Sequence, residues 1–328
     1  MPIDDQPASD DPYIALVDPE LREAALMMRA NTQQFTPMNK RKLAMRRRMT
    51  EAMTQPPLPA PAYAEHRAMR PDGGEVAFLV VNARPGAQGP GILHIHGGGY
   101  TNSSALGSLP LIQTLALELD CPVVTVEYRL APETIWSGSL EDNYAALLWM
   151  HAHAAEIGVD PARIAVMGES AGGGHAALLT LAVRDRGEVS LAFQALIYPM
   201  IDDRAGTSRQ LAEHIGWFGW SPELNRFGWQ SFLGCKPGGR KVPVEAVPAR
   251  VADLSGLPPA FIGVGGLDLF VEEDVEYARR LNAAGVPTEL LVMPGAFHGF
   301  DMFIPDAAIS RRFTEAKVAA LRRGLGMG

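Results

Sequence analysis

The sequence predicts a mostly parallel α/β sheet with helices on both faces, and three observations carry that prediction. From Val76 onward, short runs rich in valine and isoleucine alternate with stretches of helical periodicity. Strands that alternate with helices build parallel sheets through crossover connections. The composition is that of an ordinary folded chain: of 328 residues, 47% are hydrophobic and 20% charged. That excludes disorder and collagen-like structure. One stretch, about 202–250, has no strand-like run and crowds Trp217, Phe218, Trp220, Trp229 and Phe232, which predicts a helical insertion.

The chain opens with helix signals. Asp18 suits an N-cap, Pro19 the first helical position and Glu20 the positive helix end. Leu21, Ala24, Ala25 and Met28 then share a face. A second helix is predicted over about 38–53. There Met45, Met49 and Met53 form an apolar stripe among Lys40, Arg41, Lys42, Arg46, Arg47 and Arg48. The expectation is a helix packed on its own protein, methionines inward over an apolar pocket and basic face in solvent. A helix lying on a membrane or a partner has the same pattern. Residues 55–63 are proline-rich and read as a linker. Strands are predicted at 76–81, 91–96, 123–128, 163–168, 193–198, 260–264 and 289–292, and helices near 109–119, 140–157, 171–184, 271–284 and 309–325. Ser139 and Asp142 resemble a capping box at the start of the second of these helices. The expected organisation is one domain, 1–328. A helical cap is formed by about 1–55 and the insertion 202–250, over a core of about 64–201 and 251–328.

Acidic residues (37) outnumber basic ones (29), for a formal charge of −8, which argues against nucleic acid as a partner. Only two cysteines occur, Cys121 and Cys235; this excludes a disulfide scaffold and suits free thiols in a reducing compartment. Residues 1–11 lack the basic and apolar regions of a secretory leader, and no run approaches the roughly 20 apolar residues of a membrane helix. The expectation is a soluble, cytoplasmic protein without a membrane span.

Chemistry in such sheets sits beyond the carboxyl ends of the strands. Gly168-Glu169-Ser170-Ala171-Gly172 lies where a predicted strand turns into a helix. A serine on that sharp turn is held out from the sheet, and the helix end behind it favours developing negative charge. His96-Gly97-Gly98-Gly99-Tyr100 ends an earlier strand. Three successive glycines let backbone N–H groups approach a ligand oxygen, so Gly98, Gly99 and Ala171 are the predicted oxyanion donors. A phosphate cradle would expect Lys-Ser or Lys-Thr downstream, where the chain has Tyr100-Thr101. His94 and His96 share a face of their strand, but no second ligand cluster accompanies them. No metal or cofactor is therefore expected, and His96, with Gly97, is assigned to bracing the glycine loop.

A serine nucleophile requires a histidine, and the histidine a carboxylate. His298, in Gly295-Ala296-Phe297-His298-Gly299-Phe300, follows the last predicted strand; the other histidines lie in helices, within a strand, in the insertion or before the sheet. Asp268 follows the strand at 260–264 and is the predicted acid; Glu272, Glu273 and Asp274 read as the acidic first turn of the next helix. Tyr100, Trp217, Met45 and Phe297 are the expected pocket residues.

Together, His96-Gly97-Gly98-Gly99, Tyr128-Arg129-Leu130-Ala131-Pro132-Glu133, Gly168-Glu169-Ser170-Ala171-Gly172-Gly173 and Phe297-His298-Gly299-Phe300 resemble the motifs of the hormone-sensitive-lipase family, the bacterial family IV carboxylesterases of the α/β-hydrolase fold. The resemblance spans about 76–321, in the family's order. It implies a Ser170–Asp268–His298 triad, an oxyanion hole from Gly98, Gly99 and Ala171, a helical cap and a serine esterase acting on short- to medium-chain acyl esters. It also favours a homodimer. Three stretches depart from the pattern. Glu169 stands where the family usually has Asp or Thr, and Glu127 where it usually has Asp; Asp268-Leu269-Phe270-Val271-Glu272-Glu273 replaces Asp-Pro-Leu-x-Asp-Glu. An amide or formamide hydrolase would use the same triad. A non-catalytic receptor on this fold would be expected to have lost the histidine, which is present here.

Overall fold

The computed structural model describes residues 10–327; the first nine residues of the expected cap, which include most of the start read as leaderless, lie outside the described residues. Eight strands form one sheet: β1 (Tyr63–Met69), β2 (Glu75–Val81), β3 (Gly89–Ile95), β4 (Val123–Glu127), β5 (Val159–Glu169), β6 (Phe193–Ile197), β7 (Ala260–Gly265) and β8 (Thr288–Met293). Their spatial order is β1-β2-β4-β3-β5-β6-β7-β8. β1 pairs β2, and β2 pairs β4, antiparallel; every other pairing is parallel. The helices are α1 (Arg22–Phe35), α2 (Lys40–Ala52), α3 (Ala105–Leu119), α4 (Trp136–Ala152), α5 (Ala154–Ile157), α6 (Ala171–Arg186), α7 (Pro222–Leu233), α8 (Val271–Ala283), α9 (Phe300–Phe303) and α10 (Ala308–Gly324).

Alternate residues of each central strand feed opposite cores. Leu93, Ile95, Val166, Leu196 and Ile262 pack with Leu147 of α4, Leu178 of α6 and Leu281 of α8. Ile92, Ala165, Met167, Ile197 and Phe261 pack with Leu109 of α3 and with Phe313 and Leu321 of α10. Each fully buried aliphatic or phenylalanine side chain stabilises the sheet by about 1.5–3 kcal/mol. Burial on both faces explains why these strands read as continuous apolar runs.

Three expectations are corrected. β1 was not predicted, and His66 belongs to it rather than preceding the sheet. β1 is an edge strand with mostly exposed side chains, so its sequence, Tyr-Ala-Glu-His-Arg-Ala-Met, carries no apolar alternation. The capping box at Ser139 does not exist: α4 starts at Trp136, and Ser139 donates back to the Trp136 carbonyl. Asp142 instead is fully buried and accepts from the Arg129 backbone N–H (2.8 Å) and Nε (2.9 Å). The methionine stripe of α2 faces out, with Met45, Met49 and Met53 exposed. The inward face carries Leu43, Arg46, which lies over Trp220, and Arg47, whose backbone-carbonyl partners rather than apolar periodicity dock this helix.

α1, α2 and the segment around α7 lie over the end of the sheet that bears Ser170. Asp18 accepts from Glu20 N–H and opens a short 3-10 turn, Pro19–Leu21, that leads into α1. Asn39 accepts from Lys42 N–H and caps α2. Phe35, Trp220, Leu224, Trp229 and Phe232 join the same core as Leu93 and Val166, so the cover shares the core of the sheet. The Thr32 hydroxyl donates to the Gly219 carbonyl, and Arg29 stacks on Trp217 at 3.2 Å from the ring centroid. Arg47 reaches the sheet side: Nε donates to the Thr101 carbonyl (2.8 Å) and Nη2 to the Ala131 carbonyl (2.8 Å). It also forks onto Glu133, whose side chain is 63% exposed. No helix among the described residues is long and apolar enough to cross a membrane.

The half-buried carbonyl bonds of Arg47 outweigh its exposed ion pair. Arg47→Met is expected to lower the unfolding free energy by about 2 kcal/mol, and Glu133→Gln by less than about 1 kcal/mol, in denaturant titrations. Equal losses would show that the ion pair, not the carbonyl contacts, docks α2.

Candidate active site

Ser170 sits between β5 and α6 with φ at +57°, a conformation that costs a non-glycine residue of order 1–3 kcal/mol. The surroundings enforce it. Ser170 N–H donates to the Ile197 carbonyl (2.9 Å), and its carbonyl accepts from Met200 N–H (2.9 Å) and Gly174 N–H (3.0 Å). α6 can approach β3 this closely only through Gly172, where a Cβ would lie 1.9 Å from the Ile95 carbonyl oxygen.

His298 lies in the loop between β8 and α9, and Asp268 in the turn after β7. The fold brings both to Ser170. His298 Nε2 is 2.9 Å from Ser170 Oγ, and Nδ1 is 2.7 Å from Asp268 Oδ2. With the carboxylate accepting at Nδ1–H, Nε2 is left to accept the serine hydroxyl. Asp268 is fully buried, and its second oxygen accepts from Phe270 N–H (3.0 Å). Phe270 and Tyr198 stand edge-on to the imidazole at 5.1 and 4.9 Å.

The rival acids are elsewhere. Glu272 is exposed. Glu273 is buried and accepts from the N–H groups of Ile201 (2.8 Å) and Asp202 (3.0 Å). Asp274 is buried with neither oxygen hydrogen-bonded among the described residues; burial first, then Glu273 and Asp268, push its carboxyl well above the usual range. In the sequence both mark only a helix's acidic first turn.

The glycine loop runs beside Ser170. Gly98 adopts φ +113°, and a Cβ there would lie 2.0 Å from the Asn102 carbonyl oxygen. Among the described residues no acceptor takes the N–H of Gly98, Gly99 or Ala171. His96 is fully buried; its Nδ1 donates to the Gly97 carbonyl (2.8 Å), its ring stacks on Tyr128 at 4.3 Å, and the Tyr128 hydroxyl donates to the His96 carbonyl (2.9 Å). His94 turns to Thr125 Oγ1 (2.8 Å) and Glu169 Oε2 (2.9 Å). Burial opposes ionisation of Glu169, but His94 and the Lys317 ammonium hold its carboxyl below the usual range. Lys317 also approaches Asp301 (3.5 Å), which accepts from the Tyr198 hydroxyl (2.9 Å). Sequence reasoning missed the roles of Glu169, Tyr198, Asp301 and Lys317. Only Glu169 left a signal, as a departure from a familiar motif.

A cavity of about 350 Å³ opens above Ser170 and His298. Phe35, Arg46, Trp220, Leu224, Met302 and Phe303 line it from the cover and from α9, just after His298. None of the four expected pocket residues lines it. Tyr100 is buried beneath, donating to the Met200 carbonyl (2.7 Å). Phe297 is buried in the core on the other face of the sheet. Trp217 is held by Arg29 and by Asp11, which accepts from its Nε1 (2.9 Å). Met45 faces outward, 44% exposed.

Comparison with known proteins gives a consistent result. A family described as the α/β-hydrolase fold matches residues 92–302. Carboxylesterase NlhH of Mycobacterium tuberculosis is 36% identical over 244 residues, covering 72% of this chain and 74% of that protein. An ethyl acetate hydrolase of Pseudomonas putida is 31% identical, covering 66% and 67%. Among solved structures, a bacterial heroin esterase superposes with a TM-score of 0.81 at 36% identity over 95% of this chain and 99% of that one. An esterase from Pyrobaculum calidifontis reaches 0.81 at 27% identity over 95% and 99%.

Two buried histidines near the loop predict acid sensitivity. Burial pushes His96 down to about 4 and His175, packed among Tyr100, Tyr128 and Phe232, down to about 3. Between pH 6.5 and these values the unfolded chain binds more protons than the folded one, so stability falls as pH falls. Among the described residues, neither ring nitrogen of His175 has a hydrogen-bond partner. His175→Leu is therefore expected to flatten the loss of unfolding free energy between pH 7 and 5, by up to ~1.4 kcal/mol per pH unit. An unchanged slope would show that His175 is not the neutral group involved.

Proposed function

The chain belongs to the hormone-sensitive-lipase-like group of the α/β-hydrolase family and is a carboxylesterase, and we propose that it cleaves esters of short- to medium-chain acids through an acyl-enzyme formed on Ser170. One observation carries the assignment of residues: the unbroken line Ser170 Oγ, His298, Asp268, with contacts of 2.9 and 2.7 Å, at the floor of the cavity. His298 Nε2 takes the serine proton as Oγ attacks the ester carbonyl. Asp268 keeps the imidazole in the tautomer that can accept it and stabilises the imidazolium that forms. The carbonyl oxygen, now an alkoxide, rests on the N–H groups of Gly98, Gly99 and Ala171. Each such donor is worth roughly 3–4 kcal/mol to the transition state. His298 then protonates the leaving alcohol, and water repeats the cycle on the acyl-serine.

α1, α2 and the 202–250 segment act as the cap over this site. The cavity volume of about 350 Å³ lies at the small end of the ~300–1,000 Å³ range of ligand sites, which supports small acyl groups over long lipid chains. Esters are favoured over amides by the names of the relatives, one of which is called an ethyl acetate hydrolase. A receptor that had abandoned chemistry would have no use for an imidazole within hydrogen-bond reach of the serine.

Ser170→Ala is expected to abolish ester turnover while the thermal midpoint stays within a few degrees. Asp268→Asn is expected to lower kcat by about 10³–10⁴, the loss typical of a wrongly held tautomer, whereas Glu272→Gln, at an exposed rival, leaves it within about twofold. Across acetyl, butyryl, hexanoyl and dodecanoyl aryl esters, kcat/KM is expected to collapse at the longest chain. Substantial turnover by Ser170→Ala would overturn the assignment.

A further inference from the structure

The cover holds a cation that no carboxylate among the described residues neutralises. Arg46 lies on the inward face of α2 and lines the cavity with Ser170 and His298. Its guanidinium carbon is 5.3 Å from the centroid of Trp220 and 6.0 Å from that of Phe35. Among the described residues, no carboxylate pairs with it and no oxygen accepts its N–H groups; its neighbour Arg47, by contrast, is engaged on Thr101, Ala131 and Glu133. The second arginine that stacks on a tryptophan in this cover, Arg29, pairs with Asp11 at 3.1 Å. Burial lowers its pKa only to about 10, so it stays charged at neutral pH.

A guanidinium over aromatic rings keeps its in-plane N–H edges free, and these match a carboxylate bidentately. Among the described residues the one acid lining the cavity is Glu169, whose Oε2 is turned onto His94 and which forms no ion pair with Arg46. Trp220 links the charge to the chemistry. Its ring lies where a Cβ on Gly99 would be, 2.3 Å from that position, and its centroid is 6.5 Å from the His298 ring. One indole thus separates Arg46 from the reacting centre.

From this geometry we propose that Arg46 is a specificity-determining residue that binds a carboxylate on the substrate, so that the preferred esters are monoesters of dicarboxylic acids. This rests on the ester-hydrolase reading of the same site. The free carboxylate sits on the Arg46 N–H edge, the methylenes lie along Trp220 and Phe35, and the ester carbonyl reaches the Gly98–Gly99 loop.

The test compares para-nitrophenyl hydrogen adipate with para-nitrophenyl hexanoate, which has the same chain length without the charge. The wild type is expected to favour the adipate ester in kcat/KM. Arg46→Met should cut the adipate-to-hexanoate ratio by about 10- to 100-fold, through the KM of the adipate ester, as for loss of a charge-assisted hydrogen-bonded pair. Arg46→Lys should restore part of the ratio. A ratio unmoved by Arg46→Met, or both esters losing in parallel, would reduce Arg46 to a clamp on the cover and overturn the proposal. Calorimetric binding of the two esters to the Ser170→Ala protein reads recognition without turnover. Should the wild type hydrolyse neither ester, the ester-hydrolase reading fails. Arg46-dependent binding of the adipate ester there would then still uphold the carboxylate site, and its absence would overturn it.

Discussion

The site depends on one constraint: Ser170 must hold a left-handed backbone conformation at the point where β5 becomes α6. That conformation lifts the hydroxyl off the sheet and points it at His298. It is unfavourable in isolation, and it persists because three backbone hydrogen bonds, one with β6, one from the turn beyond it and one from α6, hold Ser170 in place. Gly172 admits the helix to β3, and β3 in turn delivers the glycine loop to the same place. The placement of Ser170, the loop and the helix end therefore follows from one close packing event in the middle of the sheet.

Around this point the protein tolerates a costly concentration of buried polar groups. Glu169, His94, Thr125, Lys317, Asp301 and Tyr198 form paired contacts under and beside the serine and the histidine. Breaking such pairs is expensive, whereas apolar replacement of a whole pair is often neutral. Their value lies in orientation. Glu169 precedes Ser170, and Tyr198 stands edge-on to the imidazole of His298, so both restrict where these two side chains can sit. The same logic applies to Asp268, whose two oxygens are each assigned to one donor.

The cover obeys different rules. It joins the core of the sheet through Phe35, Trp220, Trp229 and Phe232, yet its helix α2 docks through arginines and leaves its methionines in water. Helical periodicity records which residues share a face, not which face turns inward. Here hydrogen bonds from Arg47 to Thr101 and Ala131 decided the orientation, and those acceptors are more than fifty residues away in the chain.

Local chemistry made much of this protein legible from its sequence. The buried strands announced themselves as apolar runs, and the nucleophile turn and the glycine loop as glycine patterns, because each reflects a steric requirement met by adjacent residues. His298 and Asp268 were legible from their place after predicted strands, since a parallel sheet puts those loops at one end. The edge strand β1 was not, because a strand with one neighbour and exposed side chains needs no apolar code. Nor were the lining of the cavity, the partners of Asp142 and Lys317, or the inward turn of Arg46. Those depend on which distant surfaces meet, and the free energy that decides it comes from burial and hydrogen bonds across the fold rather than from any property of the local sequence.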